Sequence, residues 1–218
     1  MANRPVYVAL KKFPYVQRID TEFKFFPGFS EKQKRLSINS LHKSFLERFP
    51  DKSVLEISSK SEVKLGVKLS AFNLQISLPE PDKKISVECA FQGSKIFENG
   101  GPYTDLFYKT SREAKKDSRI KNSGHLIAFK FFDYIFPLEP KTYFYDWLYI
   151  NALNANSDFK NDILKYDCFT DIEFNPKKSL NCQAKAAAVF VGLNRAEIID
   201  DSLNNEKNFL KIVYQNSK

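Results

Sequence analysis

The chain has 218 residues, 43% of them apolar, enough for one domain with a sizeable core. Its 34 Lys and Arg against 26 Asp and Glu leave a net charge of +8 at pH 7, a balance that favours polyanionic partners such as nucleic acid or phosphate-bearing ligands. Two histidines and three scattered cysteines, Cys89, Cys168 and Cys182, argue against a His-rich metal site, a zinc ribbon or a disulfide framework, so acid–base chemistry falls to carboxylates, lysine or tyrosine.

In chain order, strand patterns at 6–10, 22–26 and 54–57 flank one helix pattern. That helix is predicted over 30–50, opening at Ser30 with capping-box spacing to Gln33 and closing at Pro50. Ile38, Leu41, Phe45 and Phe49 recur at helical spacing and should lie against a core. A hairpin follows, with strands 72–78 and 84–87 about a turn at 79–83 that holds two prolines. Helical patterns then dominate, at 87–97, 111–117, 142–154, 159–166 and 181–195, with a short one at 203–209. Residues 182–193 are almost all small or apolar and mark the central helix. The expected fold is mainly α with a small antiparallel β component, an α+β single domain. The longest apolar run, 186–193, is too short to span a bilayer, and residues 1–10 hold no long apolar stretch, so a soluble cytoplasmic protein is expected.

The segment SVECAFQGSKIF, residues 86–97, carries the most chemical information. As a helix it sets Glu88, Gln92 and Lys95 on one polar stripe at i, i+4 and i+7, between Phe91 on one side and Cys89 and Ile96 on the other. So narrow a stripe either meets polar partners inside the fold or lines a pocket. In a pocket, burial lowers the pKa of Lys95, and a neutral lysine attacks a carbonyl or the open-chain aldehyde of a sugar, with Glu88 shuttling protons.

Three further segments offer a structural and a functional reading each. In PKTYFYDWLYI, residues 140–150, the aromatic density suits core packing or stacking on a base, and Asp146 beside Trp147 must be paired or functional. In FTDIEFNPKKSLN, residues 169–181, Asn181 is an ordinary helix N-cap, or the helix start with Lys177 and Lys178 takes a phosphate. Gly100 and Gly101, just after Lys95, permit a tight turn and close approach of a ligand. Residues 109–121 hold six basic and two acidic side chains, a solvated face or a phosphate contact for DNA. His42 reads as a partly exposed helix residue, and His125 sits in a turn without companion ligands. No Walker loop, GxGxxG, GxSxG or HExxH occurs, which removes support from kinase, P-loop, dinucleotide dehydrogenase and serine hydrolase readings.

Taken in order, Leu69-Ser-Ala-Phe72, the hairpin, VExAFQxxK at 87–95, Asp146-Trp147 and Asn181 before a small-residue helix resemble the NADAR (YbiA-like) family. The resemblance spans 66–214. VLEISSK at 54–60 and DIEFNPKK at 171–178 resemble the branch associated with DarT-type DNA ADP-ribosyltransferase toxins. That likeness implies residues 1–65 as an extension packed on a NADAR catalytic domain at 66–218. It implies an antitoxin-type hydrolase of N-glycosidic bonds that removes ADP-ribose from guanine in DNA, releasing ADP-ribose and reversing a DarT-type toxin. By position, Lys95, Glu88 and Asp171 take the catalytic roles. Ser70, Phe72, Gln92, Gly100, Asp146, Trp147 and Asn181 take substrate-binding roles, with no metal and no cofactor. The family's Ser-Asn-Phe is Ser70-Ala71-Phe72 here, and its Trp-Gly before the final Asn is absent. Two alternatives stay open: an N-glycosidase on small phosphorylated riboflavin-pathway intermediates, and a non-catalytic module that binds ADP-ribose or sequesters the toxin.

Overall fold

A computed structural model describes residues 1–78, 83–177 and 179–214. The chain opens with an antiparallel hairpin, β1 (Ala2–Ala9) and β2 (Val16–Phe23); β1 extends the pattern at 6–10 toward the N-terminus, whereas β2 shares only residues 22 and 23 with the strand expected at 22–26. Helix α1 (Glu31–Leu46) starts where expected: the Ser30 hydroxyl accepts from the Gln33 amide, and it donates to the Gln33 side chain. The helix stops four residues before Pro50, but Ile38, Leu41 and Phe45 are buried and Phe49 packs beside them, against Val6, Val8 and Phe23 of the hairpin.

The middle of the chain runs β3 (Val54–Glu56), α2 (Lys64–Lys68), β4 (Gln75–Ser77), β5 (Lys84–Ser86), α3 (Val87–Gly93), β6 (Lys95–Phe97) and a 3-10 turn at Thr104–Tyr108. Then come α4 (Ser111–Lys116), α5 (Arg119–Asn122), β7 (Leu126–Phe131) and β8 (Tyr134–Phe136). The last third is α6 (Tyr143–Ala155), α7 (Ser157–Ile163), β9 (Cys168–Thr170), α8 (Gln183–Arg195), α9 (Ile199–Leu203) and α10 (Glu206–Tyr214). Strands β4 and β5 form the expected antiparallel hairpin, whose turn residues 79–82 lie outside the described residues, as does Lys178.

The α+β class holds, with more β structure than the pattern showed. One sheet has the order β2-β1-β9-β3, in which β9 is antiparallel to β1 and parallel to β3. The first and last thirds of the chain therefore share a sheet. A second, antiparallel sheet runs β6-β7-β8. Strands of three to six residues leave little periodic signal, and β7, β8 and β9 were not expected; β9 in addition pairs only with strands far away in the chain. The single helix predicted at 203–209 is two, α9 and α10.

Two corrections concern the site itself. The helix expected over 87–97 ends at Gly93, because the Lys130 amide takes the Ser94 carbonyl at 2.7 Å and Lys95 pairs with Phe129, drawing 95–97 into the second sheet. The helix expected from 181 begins at Gln183, with Cys182 at the N-cap position and no side-chain cap, so Asn181 does not cap it. Helix α8 is central as expected: its alanines, Val189, Phe190 and Val191 are buried against α6, β1 and β9. All three cysteines are free and buried. Among the described residues, no helix is long and apolar enough to cross a membrane.

Candidate active site

Helix α3 is short and wholly buried, and its first turn is fixed from both sides. Ser86 caps it by accepting from the Cys89 amide, while the Val87 and Glu88 amides donate to the carbonyls of Leu74 and Ala71. The next strand begins at once, and Gly101 lies against the Lys95 carbonyl at φ +88°, where a Cβ would collide with that oxygen. The glycine after Lys95 thus seats the main chain of Lys95 itself.

The expected polar stripe forms despite the early helix end, because residues 92 and 95 stay adjacent across the turn. Lys95 Nζ donates to Gln92 Oε1 at 2.7 Å, and Gln92 Nε2 donates to Glu88 Oε1 at 2.9 Å. The Lys95 ammonium also lies 4.8 Å from the centroid of the Phe91 ring. Burial pushes its pKa down to about 8; the Glu88 carboxylate pulls it back up, and the Lys115 charge adds to the drop. A usable fraction of neutral amine therefore exists at neutral pH.

Asp171, the residue after β9, lines the same cleft as this relay. Its Oδ1 accepts from the amides of Glu173 and Phe174, and burial followed by the charge of Glu56 holds its carboxyl group well above the usual carboxylate range. Gln183 links the two halves of the wall: Nε2 donates to the Ile57 carbonyl at 2.6 Å and Oε1 accepts from the Ala71 amide at 2.7 Å. Between these walls lies a cleft of about 600 Å³, within the range of small-molecule sites.

Lys95, Glu88, Gln92, Asp171, Ser70, Phe72 and Asn181 all line this cleft. The Ser70 hydroxyl donates to the Val67 carbonyl and accepts from Asn73, so its own turn holds it. Gly100, Asp146 and Trp147 do not line the cleft. A Cβ on Gly100 would meet the Tyr103 hydroxyl, so the turn itself calls for glycine here. Asp146 is fully buried in α6, where its Oδ2 accepts from Lys185, Thr142 and Tyr214. Trp147 packs on Phe131, Tyr134 and Phe136.

Other side chains of the site were missed or misread. The rim carries exposed Lys115, Leu138, Lys141 and Leu180, with the Lys115 ammonium 5.1 Å from the Phe72 ring centroid. Within 109–121, Arg119 is tied to Asp105 and Asp117, so the run is not uniformly free charge. His42 is a partly exposed residue of α1 as expected, but its ring meets Thr170 Oγ1 at 2.8 Å, a contact the pattern did not show, and desolvation lowers its pKa to about 4. Ser58 and Ser59, from the first third, also line the cleft. The signal for this wall was Glu56, a lone acid in an apolar strand run, which demands a partner once buried. Among the described residues, no group of three or more His, Cys, Asp or Glu is arranged to hold a metal ion.

Fold and cleft together define an α+β protein with a lysine and two carboxyl groups lining one pocket. Residues 2–218 match the family described as the DarT1-associated NADAR antitoxin, and the chain belongs to that family. No curated protein matches the sequence.

Proposed function

We propose that this antitoxin-family protein is an ADP-ribosyl hydrolase that cleaves the N-glycosidic bond between ADP-ribose and guanine in DNA. The observation that carries the reading is the Lys95 amine, depressed to about 8 and aimed by the Gln92–Glu88 relay into a cleft that Asp171 faces. Ring opening of the distal ribose leaves C1 doubly bonded to the guanine nitrogen. Neutral Lys95 adds to C1, the guanine amino group leaves with a proton, and a lysine imine remains. Water then adds to C1 and frees open-chain ADP-ribose and the amine, with Glu88 and Asp171 moving the protons. Net consumption is one water.

The cleft's apolar faces, Phe72, Phe91 and Phe129, offer stacking surface, and Lys115 and Lys141 at the rim offer charge for pyrophosphate or the DNA backbone. An oligonucleotide carrying one ADP-ribosylated guanine, weighed by mass spectrometry before and after incubation, tests the activity; loss of the ADP-ribose mass is expected, and an unchanged mass refutes it. Borohydride reduction during turnover should cross-link substrate to Lys95, and the absence of a cross-link favours direct attack by water on an oxocarbenium-like centre.

A further inference from the structure

We infer that Glu56, supplied by the first third of the chain, is a positioning residue for this reaction, because it grips the residues on both sides of Asp171 and so fixes that carboxyl group in the cleft. The inference rests on the activity proposed above. Glu56 is 2% exposed, at the end of β3, opposite Thr170 in the parallel pair. Its Oε1 accepts from the Ile172 amide at 2.8 Å and its Oε2 from the Thr170 hydroxyl at 2.6 Å. The nearby Ser58 hydroxyl also favours its charged form. The Ile57 amide adds a main-chain bond to the Thr170 carbonyl at 2.8 Å. Residues 170 and 172 are thus held by β3, which fixes the main chain from which Asp171 projects, while the Glu173 and Phe174 amides hold its carboxyl group.

The network continues outward. Because Thr170 donates its proton to Glu56, its oxygen accepts from His42, which places the ring proton on Nε2. His42 belongs to α1, so two elements of the first third support the cleft carboxyl. Among the described residues this buried carboxylate has two hydrogen-bond donors with close geometry and no ion-pair partner, and burial raises its pKa. A second carboxyl group, Asp171, lies between the two residues that Glu56 holds, and burial followed by the Glu56 charge raises its pKa, so it keeps its proton to higher pH than a free carboxyl. Asp171 is then supplied to the cleft as an acid, able to protonate the departing guanine nitrogen.

The groups around Asp171 come from every packed element. They are Glu56 on β3, His42 on α1 through Thr170, Glu173 in its own loop paired to Lys34 on α1, Cys182 and Gln183 at α8, Tyr145 and Tyr149 on α6, and Tyr7 on β1 through Cys182. Glu56 is the acid whose charge acts most strongly on Asp171.

Glu56→Gln tests the inference, since the amide still accepts from Ile172 but carries no charge. Three readouts are needed: ADP-ribose affinity, the pH profile of turnover on the modified oligonucleotide, and the carboxyl titration of Asp171 by carbon-13 NMR. Affinity should stay within about threefold, while kcat above pH 7 falls by about tenfold or more and the alkaline limb moves acid by about one pH unit. The Asp171 carboxyl should titrate at lower pH. An unchanged Asp171 titration, or a loss of thermal stability with the pH limb unmoved, overturns the inference. The NMR titration needs no turnover, so it decides the role of Glu56 even where the wild type leaves the oligonucleotide intact. Should Glu56→Gln fail to fold, Thr170→Val removes one grip only; a smaller shift in the same direction supports the inference and an unshifted titration overturns it.

Discussion

Lys95 is joined to Gln92 by a 2.7 Å hydrogen bond that survives a change of secondary structure between them, Gln92 lying in α3 and Lys95 opening β6. The same glutamine holds Glu88, so one amide sets the position of both the candidate nucleophile and its candidate proton shuttle. Replacing Gln92 by Leu keeps the bulk and removes both bonds. Activity on the modified oligonucleotide should drop by about ten- to a hundredfold, with two buried polar groups left unpaired. In the wild type, kcat/KM should rise with pH up to about 8 as Lys95 loses its proton. A profile flat between pH 6 and 9 would contradict a neutral Lys95 as the reacting form.

Lys95 should weaken the fold it serves. Its folded-state pKa lies below the unfolded value, so the folded protein resists the proton: the penalty is full below about 8, fades between 8 and 10.5, and is gone above. Lys95→Met should therefore be more stable than wild type at pH 7, by on the order of 1 to 2 kcal/mol after the lost Gln92 bond is set against it. Above pH 10.5 the gain should disappear. Urea unfolding at the two pH values measures the difference, and a variant equally destabilised at both would refute it.

Asp146 is buried outside the cleft and paired with Lys185. Lys185 meets its Oδ2 at 2.8 Å, while Oδ1 has no hydrogen-bond partner among the described residues. Lys185→Met leaves this carboxylate buried without its cation and should cost about 2 to 4 kcal/mol, the lower end reflecting the partial exposure of the lysine. Activity per folded molecule should stay within about threefold. Thermal melting with active-site titration separates the two effects.

Trp147 gives a sharper contrast between ligand contact and packing. Its indole lies 5.0 Å from Phe136 and 5.7 Å from Tyr134 by ring centroids, and its Nε1 has no hydrogen-bond partner among the described residues. Trp147→Phe should cost about 1 to 2 kcal/mol of stability and leave KM unchanged. A large rise in KM with unchanged melting would return this residue to the ligand.

Salt dependence should distinguish Lys115 from Arg119. Lys115 stands at the cleft rim, whereas Arg119 is bonded to two carboxylates. Lys115→Ala should weaken oligonucleotide binding and reduce the slope of log K against log salt by about 0.7 to 1, and Arg119→Ala should change that slope less. Equal slopes for both variants would show that the rim position carries no backbone contact.

The local chemistry was legible where it rests on neighbours in the chain. Glu88, Gln92 and Lys95 could be read as a unit because three- and four-residue spacings bring side chains together even when the helix ends early. The buried face of α1 and the small-residue helix α8 followed from periodicity for the same reason. Asp146 was legible only as a carboxylate that must be paired or used; which of the two depended on Lys185, 39 residues away.

By itself, then, the sequence determined the class of fold, the relay on residues 88–95 and, through its family-wide match, the antitoxin family. Tertiary structure decided what faces that relay. Strand β9 is three residues long and joins its sheet only because β1 and β3 supply partners from more than a hundred residues earlier. That pairing brings Asp171 to the cleft and Glu56 beside it, and the same packing keeps Gly100, Asp146 and Trp147 away from it. Periodicity reports which face of an element is buried; it carries no information about which distant carboxylate the burial places next to another.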